Sequence, residues 1–360
     1  MPGSRCLFAL AAGLVLAWVV PGWSAPPSPA EVTAIIFLSD NNELIYAGVD
    51  EYLHVWDMKQ SKERLRIHAH TNGVYGLALS NDGKQFASAG ADRLVRLWDS
   101  ATLKEVRTFE GHRKEAVGVA FSPNNRVLAS CAYDGTIRLW DTSTGKELRV
   151  LRGHRHKVTS VAFSPDGTIL ASGGFVPFET ESFKGSTQGD QVRLWDPESG
   201  KELRRLPVKG QRVAIAPDGK TLIASAMYLD LAPAGQGGLV FGNMSFDGGS
   251  RITVWDMQRN RERYRLDEYW TGLAISADGR YLASSWGSRL HGGGTVLTHQ
   301  SKSKGVHVWE LETGKEMLAF TAPEGTGTVL AFAPDARRLI AGCQDGKLRI
   351  WDLNAQREKK

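Results

Sequence analysis

The sequence predicts a single all-β domain built as seven four-stranded antiparallel units, and three observations carry that prediction. A Trp followed by an acid recurs at Trp56-Asp57, Trp98-Asp99, Trp140-Asp141, Trp195-Asp196, Trp255-Asp256, Trp309-Glu310 and Trp351-Asp352. Self-similarity at about 40 residues marks a repeat architecture, in which no unit buries its apolar face alone. Around each Trp one pattern returns, clearest from Val117 to Asp141: a strand VGVAFS, a turn PNN, a strand VLASCA, an Asp134-Gly135 turn and a strand TIRLWD, with a fourth strand from about Glu147. Period-two alternation bounded by such turns reads as an antiparallel meander. Composition agrees, since 11 Trp beside 39 Gly suit many short strands that each need a bulky anchor and a tight turn.

These repeats resemble those of the WD-repeat family, and the resemblance covers essentially residues 29–360. It implies a β-propeller, a ring of four-stranded blades around a central channel. In that family a His leading into each blade, an Asp in the turn before the third strand, a Ser or Thr on the second strand and the Trp form a buried hydrogen-bonded set. The matching residues are His70, His112 and His154, and Asp50, Asp92, Asp134 and Asp345, with Asp190 one residue out of step. Two residues before the Asp stand Gly48, Gly90, Ala132 and Cys343, so the resemblance implies networks that lack their hydroxyl. The His recurs at a fixed distance from Trp (70 to 98, 112 to 140), which argues for scaffold rather than a catalytic or metal site.

The first residues form a separate unit. Met1–Arg5 carry one positive side chain, Leu7–Val20 are uncharged and almost wholly apolar, and Pro21, Gly22 and Ser24 follow. This reads as a signal peptide over residues 1–24 rather than a transmembrane anchor, because fourteen residues span only about 21 Å as a helix. The expectation is an exported, bacterial-like chain, periplasmic or extracellular, with an uncleaved leader as the membrane-tethered alternative. Removing the leader removes Cys6 and leaves Cys131 and Cys343 on the second strands of blades 3 and 7. Non-adjacent blades hold them beyond disulfide reach, so both read as buried free thiols. Net charge is +5, and Lys and Arg are spread without basic runs, which argues against a nucleic-acid partner.

Departures from the repeat point to function. The small residue of the second strand precedes Trp by 10 residues in blades 2, 3 and 7 (88 to 98, 130 to 140, 341 to 351). The distance grows to 23 in blade 4 (172 to 195), 30 in blade 5 (225 to 255) and 25 in blade 6 (284 to 309). Long inserts are therefore expected at 173–190, 226–250 and 285–305, all on one face of the ring. They are rich in Gly and Ser yet carry Phe175, Phe178, Phe183, Tyr228, Phe241, Phe246 and Trp286, with Arg289 and His291 beside them. Those rings form either a satellite core or exposed anchors for a partner. Asn243-Met244-Ser245 is a sequon of weak weight.

No phosphate-loop, nucleophile-elbow or zinc-protease spacing occurs, and no cofactor or metal is implied. The reading is a monomeric, non-catalytic scaffold that binds a protein or peptide on the loop face of blades 4–6. The alternative is a ligand-binding or enzymatic propeller with a small molecule at the channel mouth. Blade 7 reads as incomplete, because Arg357–Lys360 lie where a fourth strand only begins, and Pro26, Pro27 and Pro29 make residues 25–30 a poor substitute.

Overall fold

The computed structural model describes residues 31–38, 42–175, 190–232, 239–241, 244–268, 272–285, 305–322 and 326–354; of 227–232, 239–241, 244–250, 267–268 and 326–328 it describes the backbone alone. The leader, Phe178, Phe183, Trp286, Arg289, His291 and Asn243 lie outside the described residues.

Blade 1 comprises β1 (Val32–Phe37), β2 (Glu43–Gly48), β3 (Tyr52–Asp57) and β4 (Lys62–His68). Blade 2 comprises β5 (Val74–Leu79), β6 (Gln85–Gly90), β7 (Val95–Asp99) and β8 (Glu105–Phe109). Blade 3 follows with β9 (Ala116–Phe121), β10 (Val127–Ala132), β11 (Thr136–Asp141) and β12 (Glu147–Arg152). Blade 4 holds β13 (Lys157–Phe163), β14 (Leu170–Phe175), β15 (Gln191–Trp195) and β16 (Glu202–Lys209). Blade 5 holds β17 (Arg212–Ile215), β18 (Thr221–Ala232), β19 (Leu239–Phe241), β20 (Met244–Asp256) and β21 (Arg261–Glu268). Blade 6 runs through β22 (Gly272–Ile275), β23 (Tyr281–Ser285), β24 (Gly305–Glu310) and β25 (Glu316–Thr321), and blade 7 through β26 (Thr326–Phe332), β27 (Arg338–Cys343) and β28 (Leu348–Asp352). The architecture is the seven-bladed all-β propeller that the repeats predict.

Burial explains the composition of each strand. Second strands are covered on both faces by neighbouring blades, so β6 reads QFASAG with every residue after Gln85 buried. Fourth strands form the outer wall, and β4 reads KERLRIH with most side chains in solvent. The core is divided into seven clusters, one in each seam. Between blades 2 and 3, for example, Leu97 and Phe109 of one blade meet Leu128 and Trp140 of the next. The ring closes in the same way: Val32, Ile35 and Leu44 of blade 1 pack with Val329 and Ile340 of blade 7. Cys131 and Cys343 are both buried and free, and burial pushes the Cys131 thiol far up, so it stays protonated.

Among the described residues blade 7 has three strands, in the order β26-β27-β28; Arg357–Lys360, where a fourth strand would begin, lie outside them. The blade 5 insert, however, is a β-ribbon rather than a loop. β18 and β20 pair through twelve rungs, from Thr221 opposite Asp256 to Ala232 opposite Ser245, against five between β6 and β7. Seven additional rungs at about 3.4 Å each extend the ladder by about 24 Å. β19 flanks the upper half of β20 on the side that β21 occupies lower down. The same register shows that the small residue of blade 5 is Ala224, not Ser225, because Ala224 faces Thr253, two residues before Trp255, as Ser88 faces Arg96. The spacing is thus 31 residues (224 to 255).

Candidate functional site

In a meander, connections alternate between the two ends of the sheet. The link from second to third strand therefore emerges on the same face as the link between blades. On this upper face three blades carry a hydrogen-bonded relay. In blade 2, Trp98 Nε1–H donates to Ser88 Oγ (2.9 Å), Ser88 Oγ meets His70 Nε2 (2.7 Å), and His70 Nδ1 meets Asp92 Oδ1 (2.8 Å). The carboxylate selects the tautomer: Nδ1–H donates to Asp92, and Nε2 accepts the Ser88 hydroxyl proton. Blade 3 repeats the relay through Trp140, Ser130, His112 and Asp134 (2.8, 2.8 and 3.2 Å). Blade 4 does so through Trp195, Ser172, His154 and Asp190 (2.8, 2.7 and 2.8 Å).

The expectation that the hydroxyl is missing is thereby corrected. The Ser stands four residues before the Asp in blades 2 and 3, at 88 and 130 rather than 90 and 132. Position 90 is Gly because the imidazole occupies its space; a Cβ there would lie 2.2 Å from His70 Nδ1. Asp190 joins its His in spite of the shifted spacing. Asp50 and Asp345 instead meet the third-strand cations His54 (2.8 Å) and Arg349 (3.2 Å).

Burial drives His70 below the ordinary histidine range, and the Arg96 guanidinium adds to this against the pull of Asp92. Burial works against ionisation of Asp92 and Asp190, but their His hydrogen bonds prevail and bring each down to about 2; Asp134 is also strongly lowered.

In two of the blades where the second-strand hydroxyl is replaced, the buried indole has no partner. Tyr46 takes that position in blade 1 and Ala224 in blade 5, and Trp56 Nε1 and Trp255 Nε1 are both buried without a hydrogen-bond partner. Blade 6 keeps Ser284, which accepts from Trp309 Nε1 (2.8 Å).

A second constellation escaped sequence reading, although its signal was present. Glu stands seven residues after Trp in all seven blades, at Glu63, Glu105, Glu147, Glu202, Glu262, Glu316 and Glu358, the last outside the described residues. In five of them it pairs with the Arg or His two residues before Trp. These pairs are His54–Glu63 (2.7 Å), Arg96–Glu105 (3.3 Å), Arg138–Glu147, Arg193–Glu202 (2.6 Å) and His307–Glu316 (2.7 Å). In blade 5 Thr253 takes that position, and Glu262 pairs with Arg265 instead (2.6 Å). The acid of each Trp-Asp pair serves the opposite face, as where Asp141 Oδ1 accepts from Thr144 N–H in the turn after the third strand (2.7 Å).

Blade 1 departs furthest from the pattern. Its Tyr46 ring stacks on His54 (4.6 Å between centroids) and its hydroxyl donates to Glu63 (3.2 Å). The His54 ring lies between Asp50 and Glu63, and these two carboxylates raise its proton affinity against the effect of burial. Asp50, against its own burial, is held low chiefly by His54, with help from the Tyr52 backbone N–H. Its Oδ1 is nevertheless buried and has no partner within hydrogen-bond geometry. These groups line an open pocket of about 190 Å³ with Val32, Gly48 and Arg66 and with Asp345 and Gly346 of blade 7.

Among the proposed insert residues, Phe175 ends β14 and is half-buried, while Tyr228, Phe241 and Phe246 fall on β18, β19 and β20. Phe246 lies opposite both Leu231 and Leu239. Among the described residues no group of three or more His, Cys, Asp or Glu is arranged to hold a metal.

The family model described as "WD domain, G-beta repeat" matches residues 61–99, 103–141, 145–196 and 320–352, so WD40 repeats account for blades 2, 3, 4 and 7 of the ring. A 173-residue stretch, 45% of this chain, is 39% identical to a coronin-like protein of Saccharomyces cerevisiae and covers 25% of it. An 80-residue stretch, 22% of this chain, is 36% identical to the U3 snoRNP-associated protein-like EMB2271 of Arabidopsis thaliana and covers 14% of it. The chain thus spans a quarter or less of these curated relatives. Both are eukaryotic, and the bacterial-like expectation finds no support in them.

The relay makes its hydroxyl worth measuring. Ser88→Ala leaves the Trp98 N–H and His70 Nε2 buried without a partner and is expected to lower stability by about 1–3 kcal/mol, whereas Ala224→Ser gives Trp255 an acceptor and adds about 1 kcal/mol. Chemical unfolding of both variants checks the pair of opposite signs. Histidine NMR titration separates the two kinds of site. His54 is expected to titrate above the ordinary value of about 6.5, so its stabilisation is present below that pH and lost as pH rises through the folded value. His70 titrates below it, so its contribution opposes folding as pH falls under about 6.5.

Proposed function

We propose that this chain is a non-catalytic protein-binding scaffold that engages its partner through the upper face of blades 4, 5 and 6. The observation that carries this reading is the blade 5 ribbon, seven rungs longer than its counterpart in blade 2 and rooted on the face where the blade 4 and blade 6 inserts also begin. An extended ribbon offers a long edge and a large area on a rigid base, which suits a protein surface better than a small ligand. The relative whose name associates it with the U3 snoRNP supports this reading by analogy alone, since one fold hosts many roles. Replacing residues 230–247 with Asn-Gly keeps the Leu229–Gly248 rung and closes it with a two-residue turn. The trimmed protein is expected to unfold as the parent does and to lose the partners that affinity capture recovers from the source cells; an unchanged set of partners overturns the assignment.

We propose also that the apolar leader directs export, on the charge and hydropathy pattern of residues 1–24. Sequencing of the mature N-terminus is expected to begin at Ala25, and a chain beginning at Met1 or Pro2 in the cytosolic fraction contradicts it.

A further inference from the structure

Besides satisfying buried groups, the relay fixes how the links between blades present the residues that follow each His. In blade 3 the Asp134 carboxylate meets His112 Nδ1 (3.2 Å) and also accepts the Arg113 backbone N–H (2.8 Å). With the backbone held at the turn, Arg113 and Lys114 stand exposed on the upper face. His154 takes the same place in blade 4, and exposed Arg155 follows it as Arg113 follows His112. The blade 3 turn joins the two links. A Cβ on Gly135 would lie 3.0 Å from the His156 carbonyl oxygen, and Lys157 Nζ stands 4.4 Å from the centre of the Tyr133 ring. Basic residues one repeat apart in sequence are thereby gathered at the seam of blades 3 and 4.

The charge of this seam is one-sided. Arg113, Lys114, Arg155, Lys157 and Arg152 at the end of β12 are opposed along the two links by Glu110 and Glu115. Asp134 and Asp190 belong to their relays, where His112 and His154 engage them. Arg113, Lys114, Arg152 and Arg155 are exposed and form no ion pair among the described residues, so their field is open to a ligand. The equivalent link into blade 2, Thr71-Asn72-Gly73, is uncharged, and the blade 1 turn carries Glu51 where blade 3 has Gly135. The positive charge is therefore a property of these two blades and not of the repeat.

Such a surface fits a carboxylate-rich chain better than a nucleic acid. Tyr133, the aromatic residue of the turn, is half-buried with Lys157 over its ring, so it offers no open face for base stacking. We propose that the upper rim of blades 3 and 4 docks an acidic segment of a partner protein, read by Arg113, Lys114, Arg155 and Lys157. This contact shares the upper face with the ribbon but does not depend on it.

A fluorescein-labelled hexaglutamate peptide is the probe, its anisotropy followed as the full chain is titrated in at low salt. Saturable binding is expected, weakening as added salt screens the contact. Arg113→Glu combined with Arg155→Glu is expected to weaken it about tenfold. The same change of net charge in the lower-face turns of these blades, Lys146→Glu with Lys201→Glu, is expected to leave the affinity within about twofold, because those sites lie beyond screening distance. All four side chains are exposed, and chemical unfolding confirms that both double variants fold as the parent does. The chain trimmed of residues 230–247 is expected to bind the peptide unchanged, which separates this contact from the ribbon. Absence of saturable binding overturns the proposal, as do equal losses in the two double variants, which mark attraction to net charge alone. Loss of binding in the trimmed chain overturns it too, and so does hexauridylate bound more tightly than the peptide, which marks a nucleic-acid surface.

Discussion

Every part of this ring depends on the seam between neighbouring blades. A four-stranded sheet with two apolar faces has no core of its own, and here each of seven clusters draws on two blades, as Phe109 and Trp140 do between blades 2 and 3. The second strand is covered from both sides, which admits Ala, Ser and Gly but no long polar chain. Whatever polar groups remain there must find partners among themselves. The Trp–Ser–His–Asp relay is the solution: it links the third strand, the second strand, the incoming link and the turn of one blade.

That relay also shows how scaffold and function divide the molecule. Blades 2, 3 and 4 keep it whole, and they are regular below the upper face. Blade 5 has lost the hydroxyl at Ala224 and the cation at Thr253, and it is this blade that carries the ribbon. Blade 1 has lost the hydroxyl to Tyr46 and holds a charged cluster instead. Blade 5 thus combines an irregular polar network with an elaborated upper face, whereas blade 4 keeps its relay beneath an insert and blade 1 has lost its hydroxyl without one.

The blade count was legible in the sequence because a Trp-acid pair closes each third strand, and the side of the inserts was legible because connection order alone decides it. The hydroxyl was misread for a local reason. Reading two residues back from the Asp lands on Gly90, a position emptied for the His70 ring, while the hydroxyl lies one alternation further along the same face at Ser88. The Glu seven residues after each Trp was visible but carried no recognised motif. The ribbon was hidden by Gly- and Ser-rich composition, which reads as loop until the twelve-rung register is seen. The blade 1 pocket could not be read at all, since its lining comes from two blades that meet only where the ring closes.

The closing seam has one further consequence. Its apolar surface on blade 1, from Val32 to Tyr46, is made at the start of the chain, and its complement, Val329 to Ile340, near the other end. At about 5–20 residues per second, translation separates the two by some tens of seconds. For that interval the first blade presents an uncovered greasy flank to the cell. A molecule whose mature form hides nearly all of its core between blades thus begins life as a client for whatever shields nascent chains.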